Sequence, residues 1–210
     1  MTSPQVALLD YGAGNLRSAQ RGLERAGARV TVTDGPAGAE GADALVVPGV
    51  GHFGACLSNL RKARLVDLVR EWIEAQRPVL GICVGMQLLY EHSEEGDIPG
   101  LGLLPGRVVR LPGTVTVPHM GWNVVDPAPG REDDPLLDAV AGERAYFVHS
   151  YFARPDESSH VLATCTYPDP FPCVVRAGSV IGTQFHPEKS GDVGARLLRN
   201  WIGSLRAVAA

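Results

Sequence analysis

Three short stretches of the chain, residues 6–9, 44–47 and 79–82, carry no polar side chain at any position. A strand without a polar face has no side to turn toward water. Such runs suit a parallel sheet covered on both faces by helices. The segments between them supply the helices. Leu16, Ala19, Leu23 and Ala26 recur at helical spacing, and Gly27 follows as a stop. Leu65, Leu68, Val69 and Trp72 repeat at i, i+3, i+4 and i+7 and predict a second long helix. Residues 28–32 read as a further strand and residues 35–42 as an exposed loop. This rhythm predicts an α/β fold with a mostly parallel central sheet flanked by helices.

The second half changes character. Strand-like pieces at 108–111, 122–125, 146–152, 161–167, 173–176 and 180–185 follow one another, with turn residues at 126–130 and 168–170. They predict additional antiparallel strands. Val193, Leu197, Trp201 and Leu205 then form a last helical stripe. A length of 210 residues suits one domain, 1–210.

Composition narrows the partners. Net charge is -4 and no basic patch stands out, so nucleic acid is not an expected partner. No apolar run reaches membrane-spanning length. The first five residues, from Met1 to Gln5, contain no basic or apolar leader, and a cytoplasmic protein is expected. Cys56, Cys83, Cys165 and Cys173 are then free thiols rather than disulfides. No Cys-x-x-Cys pair and no zinc-spaced histidine pair occurs, so neither a metal nor another cofactor is expected.

Cys83 differs from the other cysteines. Gly81-Ile-Cys-Val-Gly85 follows an apolar strand and precedes a helix-like run, residues 86–90. A nucleophile on so sharp a strand-to-helix turn sits in a strained backbone, and glycines two residues away prevent a collision with it. The Val84 N–H is then placed to donate to an oxyanion. A buried structural cysteine is the plainer alternative. Gly182-Thr-Gln-Phe-His-Pro-Glu188 closes another strand. The residue before proline is pushed away from helix, so an extended chain should bring His186 and Glu188 to one side. The carboxylate would orient the imidazole, leaving the other ring nitrogen to accept the thiol proton. Alone, His186-Pro-Glu188 reads equally as a solvated turn. In Pro48-Gly-Val-Gly51, two glycines allow the N–H of Val50 or Gly51 to serve as a second oxyanion donor. An ordinary glycine turn is the alternative there.

Taken together, Gly81 to Gln87, His186-Pro-Glu188 and Pro48 to Gly51 resemble the class I glutamine amidotransferases. Pro118-His-Met-Gly-Trp-Asn123, Tyr146-Phe-Val-His-Ser-Tyr151 and Gly182 to Ser190 narrow the resemblance. They are similar to the branch of that family that serves imidazole glycerol phosphate synthesis in histidine biosynthesis. The likeness runs from about Ala7 to about Trp201, with Val84 in place of an expected leucine.

The resemblance implies a Cys83–His186–Glu188 triad that hydrolyses L-glutamine to glutamate and ammonia. It also implies a cyclase partner with a (β/α)8 barrel that receives the ammonia, the two forming a heterodimer. Gln87, Glu95, His149, Ser150 and Tyr151 match substrate-holding positions, although Glu95 reads equally as a solvated acid. Trp122, Asn123, Tyr146 and Lys189 match positions facing the partner, and Tyr11 and Asn15 are weaker matches for the same face. The Gly12-Ala-Gly14 loop begins like a dinucleotide fingerprint, but Arg17 stands at its third glycine. A glutaminase of anthranilate or aminodeoxychorismate synthesis and a stand-alone cysteine hydrolase are the alternative functions.

Overall fold

The computed structural model describes residues 3–208; the start and end of the chain, including Met1 and Thr2 of the leader argument, lie outside them. The alternation in the first half produces β1 (Gln5–Leu9), α1 (Leu16–Arg25), β2 (Arg29–Thr33), β3 (Ala44–Val47), α2 (Phe53–Lys62), α3 (Val66–Glu74) and β4 (Val79–Ile82). A single-turn helix, α4 (Val84–Gln87), follows. Every residue of β3 and β4 is buried, as an all-apolar strand requires. Each fully buried leucine or valine there contributes about 1.5–3 kcal/mol relative to exposure. In α1 the Asn15 side chain caps the first turn, and Ala19 and Leu23 face the sheet.

The remaining strands are β5 (Tyr90–Ser93), β6 (Ile98–Pro99), β7 (Leu104–Arg110), β8 (His119–Val124), β9 (Asp126–Pro127), β10 (Arg144–His149), β11 (Tyr151–Pro155), β12 (Val161–Thr166), β13 (Pro170–Ala177) and β14 (Val180–Thr183). The chain ends in α5 (Gly191–Val208). The main sheet has the order β2-β1-β3-β4-β14-β13-β12-β9. Strands β2 to β14 in that order are parallel, and β13, β12 and β9 extend the sheet antiparallel. Two smaller sheets, β11-β7-β5-β6 and the β8–β10 ribbon, stand beside it.

One adjacency builds the site. Strand β14, from the far end of the sequence, lies parallel to β4 with Thr183 beside Ile82. The two strands therefore end together, and Cys83 N–H donates to the Thr183 carbonyl at 2.7 Å.

Several details depart from the sequence-based expectation. Residues 53–62 form a helix absent from the expectation above, with Phe53, Cys56, Leu57 and Leu60 buried. The run expected as helix over 86–90 closes after one turn, and Tyr90 already begins a strand. The expected strand 146–152 breaks at Ser150 into β10 and β11, which pair with different partners. The loop at 35–42 contains a short helical turn, Pro36–Ala39, and Ala39 is only 3% exposed. Among the described residues no helix is long and apolar enough to cross a membrane.

Candidate active site

Cys83 occupies φ +53°, ψ −115°, a region costly for any residue with a side chain. Holding it there costs about 1–3 kcal/mol. The flanking glycines permit this, but not by avoiding the cysteine. A Cβ on Gly81 would lie 2.6 Å from the Met86 Cα, and one on Gly85 would lie 1.9 Å from the Val47 carbonyl oxygen. The glycines thus let α4 lie directly on the strand ends, which fixes the turn from outside. Gly49 is bound by the same contact, since its Cβ would lie 2.3 Å from the Gly85 nitrogen.

His186 follows β14 in an extended conformation, φ −98°, ψ 96°. Glu188 reaches it through the helical turn Pro187–Lys189 rather than along an extended chain, which corrects the expected geometry. The result is a 2.8 Å contact between His186 Nδ1 and Glu188 Oε1, with both side chains almost fully buried. Ser190 fixes this turn: its hydroxyl donates to the His186 carbonyl at 2.7 Å and accepts from the Tyr146 N–H at 2.9 Å. Among the described residues His186 Nε2 has no hydrogen-bond partner. The Cys83 sulfur lines the same cavity and favours the charged form of that imidazole. Burial disfavours the imidazolium, but the Cys83 sulfur and the Glu188 carboxylate outweigh it and raise His186 to about 10.

A cavity of about 580 Å³ opens over Cys83 and His186. Its volume matches the usual size of a small-molecule site. Val50, Gly51 and Val84 line it, placing the three expected oxyanion residues around the sulfur. Gly51 has φ +92°, and the Cys56 thiol donates to the Val50 carbonyl at 3.2 Å. Gln87, Glu95, His149, Ser150 and Tyr151 also line the cavity. Glu95 is not merely solvated, because one carboxylate oxygen accepts from the Phe53 N–H at 2.7 Å. Gln87 donates to the Tyr151 carbonyl at 2.9 Å and to Gln184 Oε1 at 3.0 Å.

Of the residues expected at a partner face, Asn15 and Lys189 line the cavity and Trp122 is 53% exposed. Tyr146 packs edge-on against Trp122 across the ribbon, with ring centroids 6.0 Å apart. Two expectations need correction. Tyr11 is only 5% exposed, and its hydroxyl donates to the Pro48 carbonyl, so it supports the glycine loop at 48–51 from below. The Asn123 side chain turns inward to Thr166 and His119 instead of outward. Sequence reasoning also missed Gln184, a fully buried residue whose Nε2 lies 3.6 Å from Cys83 Sγ. Its position two residues before His186 was the available signal. Met120, 64% exposed beside Trp122, was missed as well.

The class-I glutamine amidotransferase family matches residues 7–204. The imidazole glycerol phosphate synthase subunit HisH of Mycobacterium tuberculosis is 52% identical over 209 residues, covering 98% of this chain and 100% of that protein. The protein of the same name from Halobacterium salinarum is 50% identical, covering 94% and 92%. A crystal structure described as a glutamine amidotransferase superposes with a TM-score of 0.75 at 23% identity, covering 96% and 98%. The PurLQS structure from Thermotoga maritima reaches 0.73 at 18% identity over the full length of both chains. These two solved structures bear on the fold alone.

Proposed function

Because this chain belongs to the class I glutamine amidotransferases, and among them to the HisH subunits of imidazole glycerol phosphate synthase, we propose that it frees ammonia from L-glutamine at Cys83. It is the glutaminase subunit of that synthase in histidine biosynthesis. Neither the anthranilate-type glutaminase nor a stand-alone hydrolase is favoured by similarity that extends over nearly the whole chain.

The observation that carries the reading is the strained Cys83 beside an imidazole whose far nitrogen is held by Glu188. Cys83 gives its thiol proton to His186 Nε2, and its Sγ attacks the side-chain amide carbon of glutamine. The carbonyl oxygen gains negative charge and meets the N–H of Val84 and that of Val50 or Gly51. Each such donor lowers the barrier by about 3–4 kcal/mol. The His186 Nε2 proton passes to the departing nitrogen, which leaves as ammonia. A glutamyl thioester remains. Water then attacks it, His186 taking the water proton, and glutamate leaves with the thiol restored. Glu188 keeps the ring in the orientation both steps need. Glu95 meets the substrate ammonium, and the Gln87 carbonyl, Ser150 and the backbone at 149–151 hold the remainder of the amino-acid end.

The ammonia passes to a partner subunit, a cyclase with a (β/α)8 barrel, without reaching solvent. There it reacts with a phosphorylated ribulosyl aminoimidazole precursor to give imidazole glycerol phosphate and an aminoimidazole carboxamide ribotide. The lyase step belongs to that partner. Trp122, Tyr146, Lys189 and Asn15 face it, with Asn123 acting from behind.

Cys83→Ala tests this reading. The variant complex loses glutamine-dependent turnover, while ammonium at high pH restores the synthase reaction. Glutamine hydrolysis surviving in the variant, or failure of ammonium to bypass it, overturns the mechanism.

A further inference from the structure

Behind the glutamine cavity, a line of polar side chains runs between aromatic rings. Asn123 Nδ2 donates to the Thr166 carbonyl at 2.9 Å, and its Oδ1 accepts from the Val124 N–H at 2.8 Å. Those two bonds fix which end of the amide is nitrogen. The same Nδ2 lies 3.4 Å from His119 Nε2. His119 Nδ1 lies 3.1 Å from His149 Nε2, and His149 Nδ1 lies 2.9 Å from the Tyr151 carbonyl. Both rings are buried.

A carbonyl can only accept, so His149 Nδ1 must carry a proton. A neutral His149 then has a lone pair on Nε2, so His119 must donate from Nδ1. A neutral His119 in turn has its lone pair on Nε2, which faces the Asn123 donor. Every bond direction follows from the Tyr151 carbonyl. Burial keeps both rings neutral: it lowers His119, and together with the nearby His119 and His186 it lowers His149 to about 3. At the Tyr151 carbonyl the direction reverses, and the contact passes on through this shared acceptor. That oxygen also accepts from Gln87, whose second N–H holds Gln184 Oε1, which turns Gln184 Nε2 toward Cys83 Sγ at 3.6 Å.

We propose that Asn123, His119 and His149 form a one-way hydrogen-bond relay coupling the exposed β8–β10 ribbon to the Gln87–Gln184 pair beside Cys83, with His119 as a positioning residue for glutamine hydrolysis. The proposal rests on the glutaminase reading above and adds a route by which a subunit docked on the ribbon acts on the sulfur. Met120 and Trp122 point outward from β8, while His119 and Asn123 point inward from the same strand. A shift of that strand therefore moves both ends of the relay's first link.

His119 also stacks between Phe147 and Tyr167, at centroid distances of 5.0 and 4.0 Å, so a packing role must be separated from the relay. His119→Phe keeps a flat ring and loses the donor. His119→Asn loses the ring and keeps a nitrogen donor where Nδ1 stood. The complex with the cyclase subunit is assayed for glutamine hydrolysis and, in parallel, for synthase turnover on supplied ammonium. The relay requires H119F to lower kcat/KM for glutamine about tenfold or more, with ammonium-driven turnover intact. It requires H119N to stay within about threefold of the parent. The reverse ranking, or an unimpaired H119F, overturns it in favour of packing. Nitrogen-15 NMR of the unaltered chain gives a second reading that no folding defect can disturb. Both rings must appear as neutral Nδ1–H tautomers, and an Nε2–H tautomer at either one overturns the relay. A parent complex that uses ammonium but not glutamine would instead overturn the glutaminase reading, and the relay with it.

Discussion

At the scale of single residues, the site depends on atoms that are missing as much as on those present. Gly85 shows this most directly, because its absent Cβ would lie 1.9 Å from the Val47 carbonyl. No rotamer can relieve a clash between two backbones. Gly85→Ala should push α4 off the strand ends and move Cys83 out of line. We expect a loss of about 3 kcal/mol or more in urea unfolding and near-complete loss of glutamine hydrolysis. An alanine variant of ordinary stability and activity would show that the turn is not held in this way. Glu188 acts through charge instead. With Cys83 it raises His186 against burial, to about 10. Because the folded value lies above the unfolded one, this contribution to stability is full below about pH 6.5 and is lost as pH rises through about 10. Glu188→Gln removes part of the upward pull, so the basic limb of the activity profile should move to lower pH. The stability gap between parent and variant should close above about pH 10. An unmoved basic limb would mean that the carboxylate does not govern the imidazole.

At the scale of elements, the glycine loop between β3 and α2, the proposed source of an oxyanion donor, is held from two sides. Tyr11 bonds the Pro48 carbonyl, and Cys56, one turn into α2, bonds that of Val50. The second bond restrains the Val50–Gly51 peptide, while the peptide before Val50 keeps the freedom that its glycine supplies. Cys56→Ala should therefore change kcat by about two- to tenfold with KM and melting temperature nearly constant, whereas Cys56→Ser restores it. Equal kinetics in C56A and the parent would remove any role for this bond. The elements themselves were unevenly legible. The all-apolar runs that became β1, β3 and β4 were legible because burial on both faces leaves only one compatible pattern. Helix α2 carried an equally regular pattern at Phe53, Cys56, Leu57 and Leu60. Its cap is His52 rather than the Ser, Thr, Asp or Asn that ordinarily marks a helix start, so no clear signal opens it. The break at Ser150 had no local signal, since an alternating strand looks the same whether it continues in one sheet or changes to another. Likewise Cys83 and His186 announced themselves by their neighbours, whereas Gln184 matters only because β14 lies beside β4.

At the scale of the whole molecule, the ribbon β8–β10 is the feature that the chain's own packing does not account for. Its inner face carries His119, Phe147 and His149 into the core, while its outer face leaves Met120 and Trp122 at 64% and 53% exposure. Cross-strand partners extend this apolar face, because Tyr146 lies opposite Trp122 and Val148 opposite Met120. Val148 also lines the cavity over Cys83, so the exposed patch is continuous with the lining of that cavity. Large aromatic side chains at the centre of an interface commonly carry most of its binding energy. A cyclase subunit seated here would cover the patch and seal the cavity together. Trp122→Ala should therefore weaken binding of the cyclase at least about tenfold, about 1.4 kcal/mol, in titration calorimetry. Because Trp122 points away from the sulfur, glutamine hydrolysis at saturating partner should fall much less than the affinity does. Ammonia leaking to solvent should rise as the seal loosens, which a coupled assay reads as glutamate formed in excess of imidazole product. Unchanged affinity together with tight coupling would place the partner on another face.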